Sequence, residues 1–354
     1  MQLLLPITAS TLIFSSYLLI TSYSNPPLPA AIRRIPPQIR LNQEGRLKIV
    51  IFADLHYGEE PSTIWGPIQD IRSTNLTGRI LDWETPQLVI FTGDQLTAEN
   101  MYPNASVYVD MLVGPLVTRG YRWASTYGNH DIGPNVTRLE ILRAEQKYAN
   151  SYTQQMTDSS IPGVTNYYLL IYSVAQQPVM IFWFLDSQGG RNGDGQQPEY
   201  IDAKVVDWFI EENARLKEQF GPLPSLVFFH IPTEEFIQIQ ENIHINPVCS
   251  GLVDDDVTPQ HPNNTGIMDA LSNAGGVQAV YVGHDHGNGW CCFYKEIQVC
   301  YGRHTGFGGY GSWVRGARVV NLVLNSDNSV ILNGSYVRLE TGAIVDEFPK
   351  LVKV

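Results

Sequence analysis

Five clusters of metal-capable side chains recur along this chain, each at the end of an apolar run. They are Asp54-x-His56 after 49–52, Gly93-Asp94 after 88–91, Gly128-Asn129-His130-Asp131 after 123–127, His230 after 227–229, and Gly283-His284-x-His286 after 277–282. Carboxylates, imidazoles and one neutral amide are a mixed hard and borderline donor set that could clasp divalent cations. Asp54 and His56 stand two residues apart, so on extended backbone they point to one face. Taken singly, each cluster has an ordinary reading: Asp54 as a turn residue, Asn129 as a helix cap, His230 as a satisfied core histidine. The recurrence argues otherwise, since five of the eight histidines fall in these motifs.

The runs that lead into the clusters are short and rich in β-branched residues, as strands covered on both faces are. Strands are expected at 48–53, 88–91, 123–127, 225–229 and 277–282. Helices are expected through 80–83 and over 107–117, 138–148, 203–219 and 266–274. An antiparallel pair is expected at 167–173 and 179–185, and further strands at 297–301, 317–324 and 330–339. The first half alternates strand and helix, the rhythm of parallel βαβ units, in which ligands sit beyond the carboxyl ends of strands. The polar, glycine-rich stretch after Asp186 reads as an exposed loop.

Read in order, the clusters D-x-H, G-D, G-N-H-[D/E], H and G-H-x-H resemble the calcineurin-like metallophosphoesterases over about 49–286. The later stretch CYGRHTGFGGYG at 300–311 is similar to that of fungal Dcr2-like and plant purple-acid-phosphatase-like members. The resemblance implies an α/β fold, a four-layer αββα sandwich of two mixed β-sheets flanked by helices, in one domain over 45–345. It implies two divalent or mixed-valence metal ions of zinc, iron or manganese. Asp94 would bridge them, Asp54, His56 and His286 would complete one site, and Asn129, His230 and His284 the other. It further implies hydrolysis of phosphomonoesters, with a hydroxide held at the metals attacking phosphorus and His130 as general acid, its ring oriented by Asp131. Asp285 is expected to point away from the ions, while Arg303, His304 and Tyr57 are expected to meet the substrate. Purple acid phosphatases carry a tyrosine ligand three residues after the bridging aspartate, where this chain has Thr97, so a coloured tyrosinate complex is not expected. A phosphodiesterase on the same fold, or a secreted metal-binding glycoprotein without turnover, are the alternatives. The His-x-His-x-Asp-His motif of metallo-β-lactamases is absent.

The 354 residues carry a formal net charge of −12, and 23 Lys and Arg form no basic run. Such a surface repels a nucleic-acid backbone and excludes it as a bulk partner, leaving a phosphorylated small molecule or protein as substrate. Residues 3–20 are uncharged and apolar, and 25–44 are rich in proline. The reading is a signal peptide or signal anchor over 1–24, a linker over 25–44, and delivery to the secretory pathway, where the protein is secreted, vacuolar or at the cell surface, with membrane anchoring through this segment as one outcome. Sequons at Asn75, Asn104, Asn135, Asn263 and Asn333 are candidate glycosylation sites. Cys249, Cys291, Cys292 and Cys300 allow three pairings, and a bond between the neighbours Cys291 and Cys292 is strained. The expected pairs are Cys292 with Cys300 across a hairpin and Cys249 with Cys291.

Overall fold

The computed structural model describes residues 37–349 except 103, 247 and 259–263. The expected leader, most of the expected linker and Asn263 lie outside these residues. The first half comprises β1 (Ile39–Arg40), β2 (Arg46–Phe52), α1 (Trp65–Glu84), β3 (Leu88–Thr92), α2 (Ala105–Val117), β4 (Trp123–Thr126) and α3 (Arg138–Glu145). Next come β5 (Tyr167–Tyr172), β6 (Pro178–Phe184), a small hairpin of β7 (Arg191–Asn192) and β8 (Gly195–Gln196), and α4 (Ala203–Phe220). The remainder is β9 (Ser225–Phe228), α5 (Glu234–Glu241), α6 (Ile267–Ala274), β10 (Val277–Val282), β11 (Cys291–Tyr294) and β12 (Ile297–Tyr301). Three antiparallel strands close the chain: β13 (Gly316–Leu324), β14 (Val330–Leu339) and β15 (Ile344–Phe348).

Two mixed sheets result. One has the order β1-β5-β6-β9-β10-β12-β11 and the other β15-β14-β13-β2-β3-β4. Strands β2, β3 and β4 run parallel, as do β6, β9, β10 and β12. Period-two alternation explains the layering. Ile49 and Ile51 of β2 join Leu88, Ile90, Phe182, Phe228 and Tyr281 in a core between the sheets. Val50 and Phe52 face the other way, onto Leu76 and Ile80 of α1, Leu112 of α2 and Ile141 of α3. On the far side, Trp183, Val227 and Val280 meet Val205 and Phe209 of α4 and Leu271 of α6. Both faces of both sheets are thus covered, which is why the strands read as unbroken apolar runs.

Several boundaries differ from the sequence reading. β1 lies in the stretch expected to be linker and pairs with β5, while β15 carries its sheet past residue 345 by pairing with β14. α5 occupies a segment with no clear periodicity, and α3 stops at Glu145 rather than Tyr148. The cysteine pairing is also corrected, because the bonds are Cys291–Cys300 and Cys249–Cys292. The register of the β11–β12 hairpin sets Cys291 directly opposite Cys300, so Cys292 turns to the other face. There the backbone of Ser250, paired with that of Cys291, brings Cys249 alongside.

Glu84 ties the end of α1 to both β2 and β14. It is buried, accepts from Arg338 Nε (2.5 Å) and Tyr336 Oη (2.6 Å), and pairs with Lys48 Nζ at 3.3 Å. Burial pushes its pKa up, but Tyr336, Arg338 and Lys48 together outweigh that and hold it below 4.5. A carboxylate with a lowered folded pKa stabilises above its unfolded pKa, and the contribution is lost as pH falls through the folded one. Glu84→Gln should therefore cost about 3 kcal/mol near pH 7. Denaturant titrations from pH 7 to pH 3 should show the gap to wild type closing at the acid end. A gap that stays constant would contradict this.

Candidate metal centre

All five clusters stand just beyond the carboxyl ends of parallel strands. Asp54 and His56 follow β2, Asp94 follows β3, Asn129 and His130 follow β4, His230 follows β9, and His284 and His286 follow β10. The turns after the neighbouring strands β2 and β3 are joined here by backbone bonds, with Leu55 and His56 N–H donating to the Asp94 carbonyl at 2.8 and 3.0 Å. His284 N–H donates to Asp54 Oδ1 (2.9 Å), linking the sheets through a side chain. Asp54, His56, Asp94 and His284 all adopt left-handed backbone, with φ of 56°, 50°, 46° and 82°. Each such residue costs roughly 1–3 kcal/mol, and strain of this kind collects where function demands a fixed direction. Gly93 belongs to the same turn: a Cβ there would lie 2.4 Å from His230 Nδ1, so only glycine lets the imidazole approach.

Two groups of donor atoms converge. Asp54, His56 and His286 form one, and Asp94, His230 and His284 the other, with the atoms of each group within 4.8 Å of one another. Asn129 Oδ1 lies 3.1 Å from His230 Nε2, and so joins the second group. Asp94 reaches both groups with a single oxygen, Oδ2 standing 3.0 Å from His230 Nε2 and 3.8 Å from His56 Nε2. The other oxygen accepts from the His130 backbone N–H at 2.7 Å.

The ring tautomers suit cation binding. His230 Nδ1 meets the Thr92 carbonyl at 2.9 Å and His286 Nδ1 the Tyr310 carbonyl at 3.0 Å. A carbonyl only accepts, so Nδ1 carries the proton and each Nε2 lone pair faces the centre. His56 Nε2 and His286 Nε2 oppose each other at 3.1 Å, and a shared cation between them would be met by a lone pair from each ring once His56 carries its proton on Nδ1 toward Thr97. Burial drives the imidazoles toward neutrality, His284 to about 3, His286 to about 4 and His56 well below its usual range. Burial also lifts Asp54 to about 7. For Asp94 the upward push of burial is outweighed by His230, His130 and His56, which hold it well below the carboxylate range. Burial pushes His230 down, yet Asp94 and Asp54 raise it to about 9. A proton on Nε2 would then sit between His230 and Asp94, the space a cation between those two ligands would take. The donor set therefore fits a pair of cations.

His130 stands beside the ligands, its ring 5.0 Å from that of His56, and over a third of its side chain is open to solvent. Its Nδ1 pairs with Glu99, a residue on the 3-10 turn Ala98–Asn100 that no sequence signal marked. Burial works against its proton, but Asp94, Glu99 and Asp131 raise its pKa to about 10. Asp131 does not orient the ring. It is fully buried and accepts from Leu96 N–H (2.9 Å) and Gly128 N–H (2.8 Å), bracing the turn instead. Asp285 turns away from the centre to Thr258 and Tyr301.

The three expected substrate contacts are all buried, and each has at least one polar atom bound within the protein. Arg303 is buried, and both Nε and Nη2 donate to the Val314 carbonyl. His304 lies against one face of the His286 ring, centroids 3.8 Å apart, with Nε2 on the Gly308 carbonyl. Tyr57 is buried with its hydroxyl on Thr74. Thr97, where a tyrosine ligand would stand in purple acid phosphatases, holds His56 through an Oγ1 to Nδ1 contact of 3.2 Å.

The glycine-rich segment 306–313 lies over the first group, since a Cβ at Gly309 would be 2.3 Å from His286 Cε1 and 2.9 Å from His56 Cδ2. Arg315 clamps this segment, donating to the carbonyls of Gly306 (2.5 Å), Trp313 (2.7 Å) and Gly311 (2.9 Å). Because Tyr310, within the clamped stretch, fixes the His286 tautomer, Arg315→Met should weaken one ion's affinity by about 10–100-fold and spare the other. Isothermal titration with zinc would read this as one tight and one weak event. Two events of wild-type affinity would contradict it.

Comparison with known proteins agrees with this geometry. Residues 47–288 match the family model for calcineurin-like phosphoesterases. The chain belongs to the calcineurin-like phosphoesterase family. Among its relatives, the probable inactive purple acid phosphatase 29 of Arabidopsis thaliana is 28% identical over 346 residues, covering 89% of this chain and 86% of that one. Phosphatase DCR2 of Saccharomyces cerevisiae is 31% identical over 287 residues, covering 75% of this chain but only 49% of its own length. A dimetal phosphatase from Danio rerio superposes with a TM-score of 0.56 at 14% identity, over 87% of this chain and 99% of that one. The purple acid phosphatase PPD1 from yellow lupin seeds gives a TM-score of 0.52 at 12% identity, over 86% and 54%. At these identities the two structures establish the shared fold.

Proposed function

We propose that this chain hydrolyses phosphomonoesters at a dinuclear metal site with His130 as general acid. The observation that carries the reading is that one oxygen, Asp94 Oδ2, reaches a histidine of each donor group. Asp54, His56 and His286 would hold one ion and Asn129, His230 and His284 the other, with Asp94 between them. When bound, divalent or mixed-valence ions of zinc, iron or manganese would supply Lewis-acid chemistry, neutralising charge at the phosphoryl group and acidifying water. Glu99 accepts a hydrogen bond from His130 Nδ1–H, so the charged ring has its Nε2–H left to protonate the departing ester oxygen. Asn129 contributes an oxygen without charge, which keeps the donor set from cancelling the cations' field.

A second reading rests on the word "inactive" in the names of three Arabidopsis relatives. It would make this chain a metal-binding glycoprotein without turnover. His130 and Asp94 are both present and favour turnover. The substrate would be a phosphorylated small molecule or protein. Two disulfides suit an oxidising compartment, and Asn75, Asn104, Asn135 and Asn333 are exposed where glycans could attach. Among the described residues no helix is long and apolar enough to cross a membrane. The deciding experiment compares p-nitrophenyl phosphate with its bis ester on metal-replete secreted protein. Faster monoester turnover is expected. Preference for the bis ester would make it a phosphodiesterase, and no turnover of either would overturn the catalytic reading.

A further inference from the structure

One wall of the centre is aromatic. Tyr310 stacks on His286 with centroids 4.1 Å apart and planes 12° from parallel. Trp313 stands nearly perpendicular to Tyr310, at 84° and 5.9 Å, so the two rings make a corner. Half of Tyr310 remains open to solvent, and Trp313 is partly exposed. Neither ring needs a polar partner from a ligand. The Tyr310 hydroxyl is bound to Asp255 and to the His286 N–H, and Trp313 Nε1 donates to Asp254 at 2.6 Å. What the corner offers is ring surface, held in place in advance.

We infer that Tyr310 and Trp313 receive a flat aromatic leaving group, and that the substrates are aryl phosphate monoesters such as a tyrosine phosphate side chain. The corner begins one ring's thickness from a ligand histidine, which suits an aromatic ring joined directly to the ester oxygen. A nucleobase, held at the far end of a sugar, would be carried past it. The ring would stack on one wall and present its edge to the other, the two arrangements aromatic pairs prefer. Fixed rotamers lower the entropy cost of forming that contact. This assignment rests on the phosphatase reading, and it makes Tyr310 and Trp313 specificity-determining residues.

The test uses the metal-replete full chain and two phosphonates that cannot be hydrolysed, phenylphosphonate and propylphosphonate. Calorimetry should give a phenyl preference of about fivefold or more for wild type. Trp313→Leu and Tyr310→Leu should each remove most of that preference, while Trp313→Phe should keep it. Metal content is measured on every variant, and if Tyr310→Leu loses ions the Trp313 pair decides the matter. Equal affinities in wild type, or a preference that survives both leucine variants, would overturn the assignment. Turnover of phenyl phosphate is followed separately: its absence would sink the phosphatase reading, whereas turnover without the phenyl preference would sink this assignment alone.

Discussion

Asp94→Ala should leave the purified protein with less than one tightly bound ion where two are expected for wild type, and should lower kcat/KM by at least about a thousandfold. The size of the effect follows from position. Asp94 Oδ2 is the atom common to both donor groups, and Oδ1 holds the His130 backbone at 2.7 Å. Removing it would take a donor from each group and loosen the turn that carries His130. The remaining His56 and His230 would face each other across a cavity without the anion that offsets two cations. Asp94→Asn keeps the shape and the bond to His130 while removing the charge, so its loss should be smaller than that of alanine. Metal analysis by mass spectrometry, together with p-nitrophenyl phosphate kinetics, checks both. An alanine variant that kept two ions would refute the bridging assignment.

His130→Ala is the complementary case, with turnover lost and metal kept. General acid catalysis contributes about 10²–10⁴-fold, and kcat should fall by that amount while the ion count stays at two. The loss should depend on the leaving group. An alkyl phosphate needs its departing oxygen protonated and should suffer most, whereas p-nitrophenolate leaves readily without a proton and should suffer least. Glu99→Gln acts through His130 by removing the carboxylate that holds Nδ1, and should cost roughly tenfold with the same leaving-group trend. A flat loss across leaving groups, or ions lost with the histidine, would place His130 among the ligands instead.

Much of the centre was legible in the chain because its parts are local. A strand that is buried on both faces needs an unbroken apolar run, and the first polar residues after it must stand at its carboxyl end. Asp54, Asp94, Asn129, His230, His284 and His286 could therefore be assigned to one side of the molecule from their neighbours alone. The partners that steer them could not. Nothing in the sequence around Glu99, Thr97 or Tyr310 says which ring each will hold, because each acts through a contact with another element, and nothing marks Arg315 as the clamp on 306–313.

The amino-acid order determined the strand runs and the donor residues at their ends, since these follow from burial and periodicity over a few residues, while the ordered set of motifs carried the resemblance to the family. Tertiary structure decided which nitrogen of each ring faces inward and which carboxylate serves His130. It likewise decided that Arg303 and His304 are bound by backbone carbonyls, and that Cys291 pairs with Cys300. These outcomes depend on register and on close packing between segments far apart in sequence, where a shift of one residue exchanges the faces of a strand.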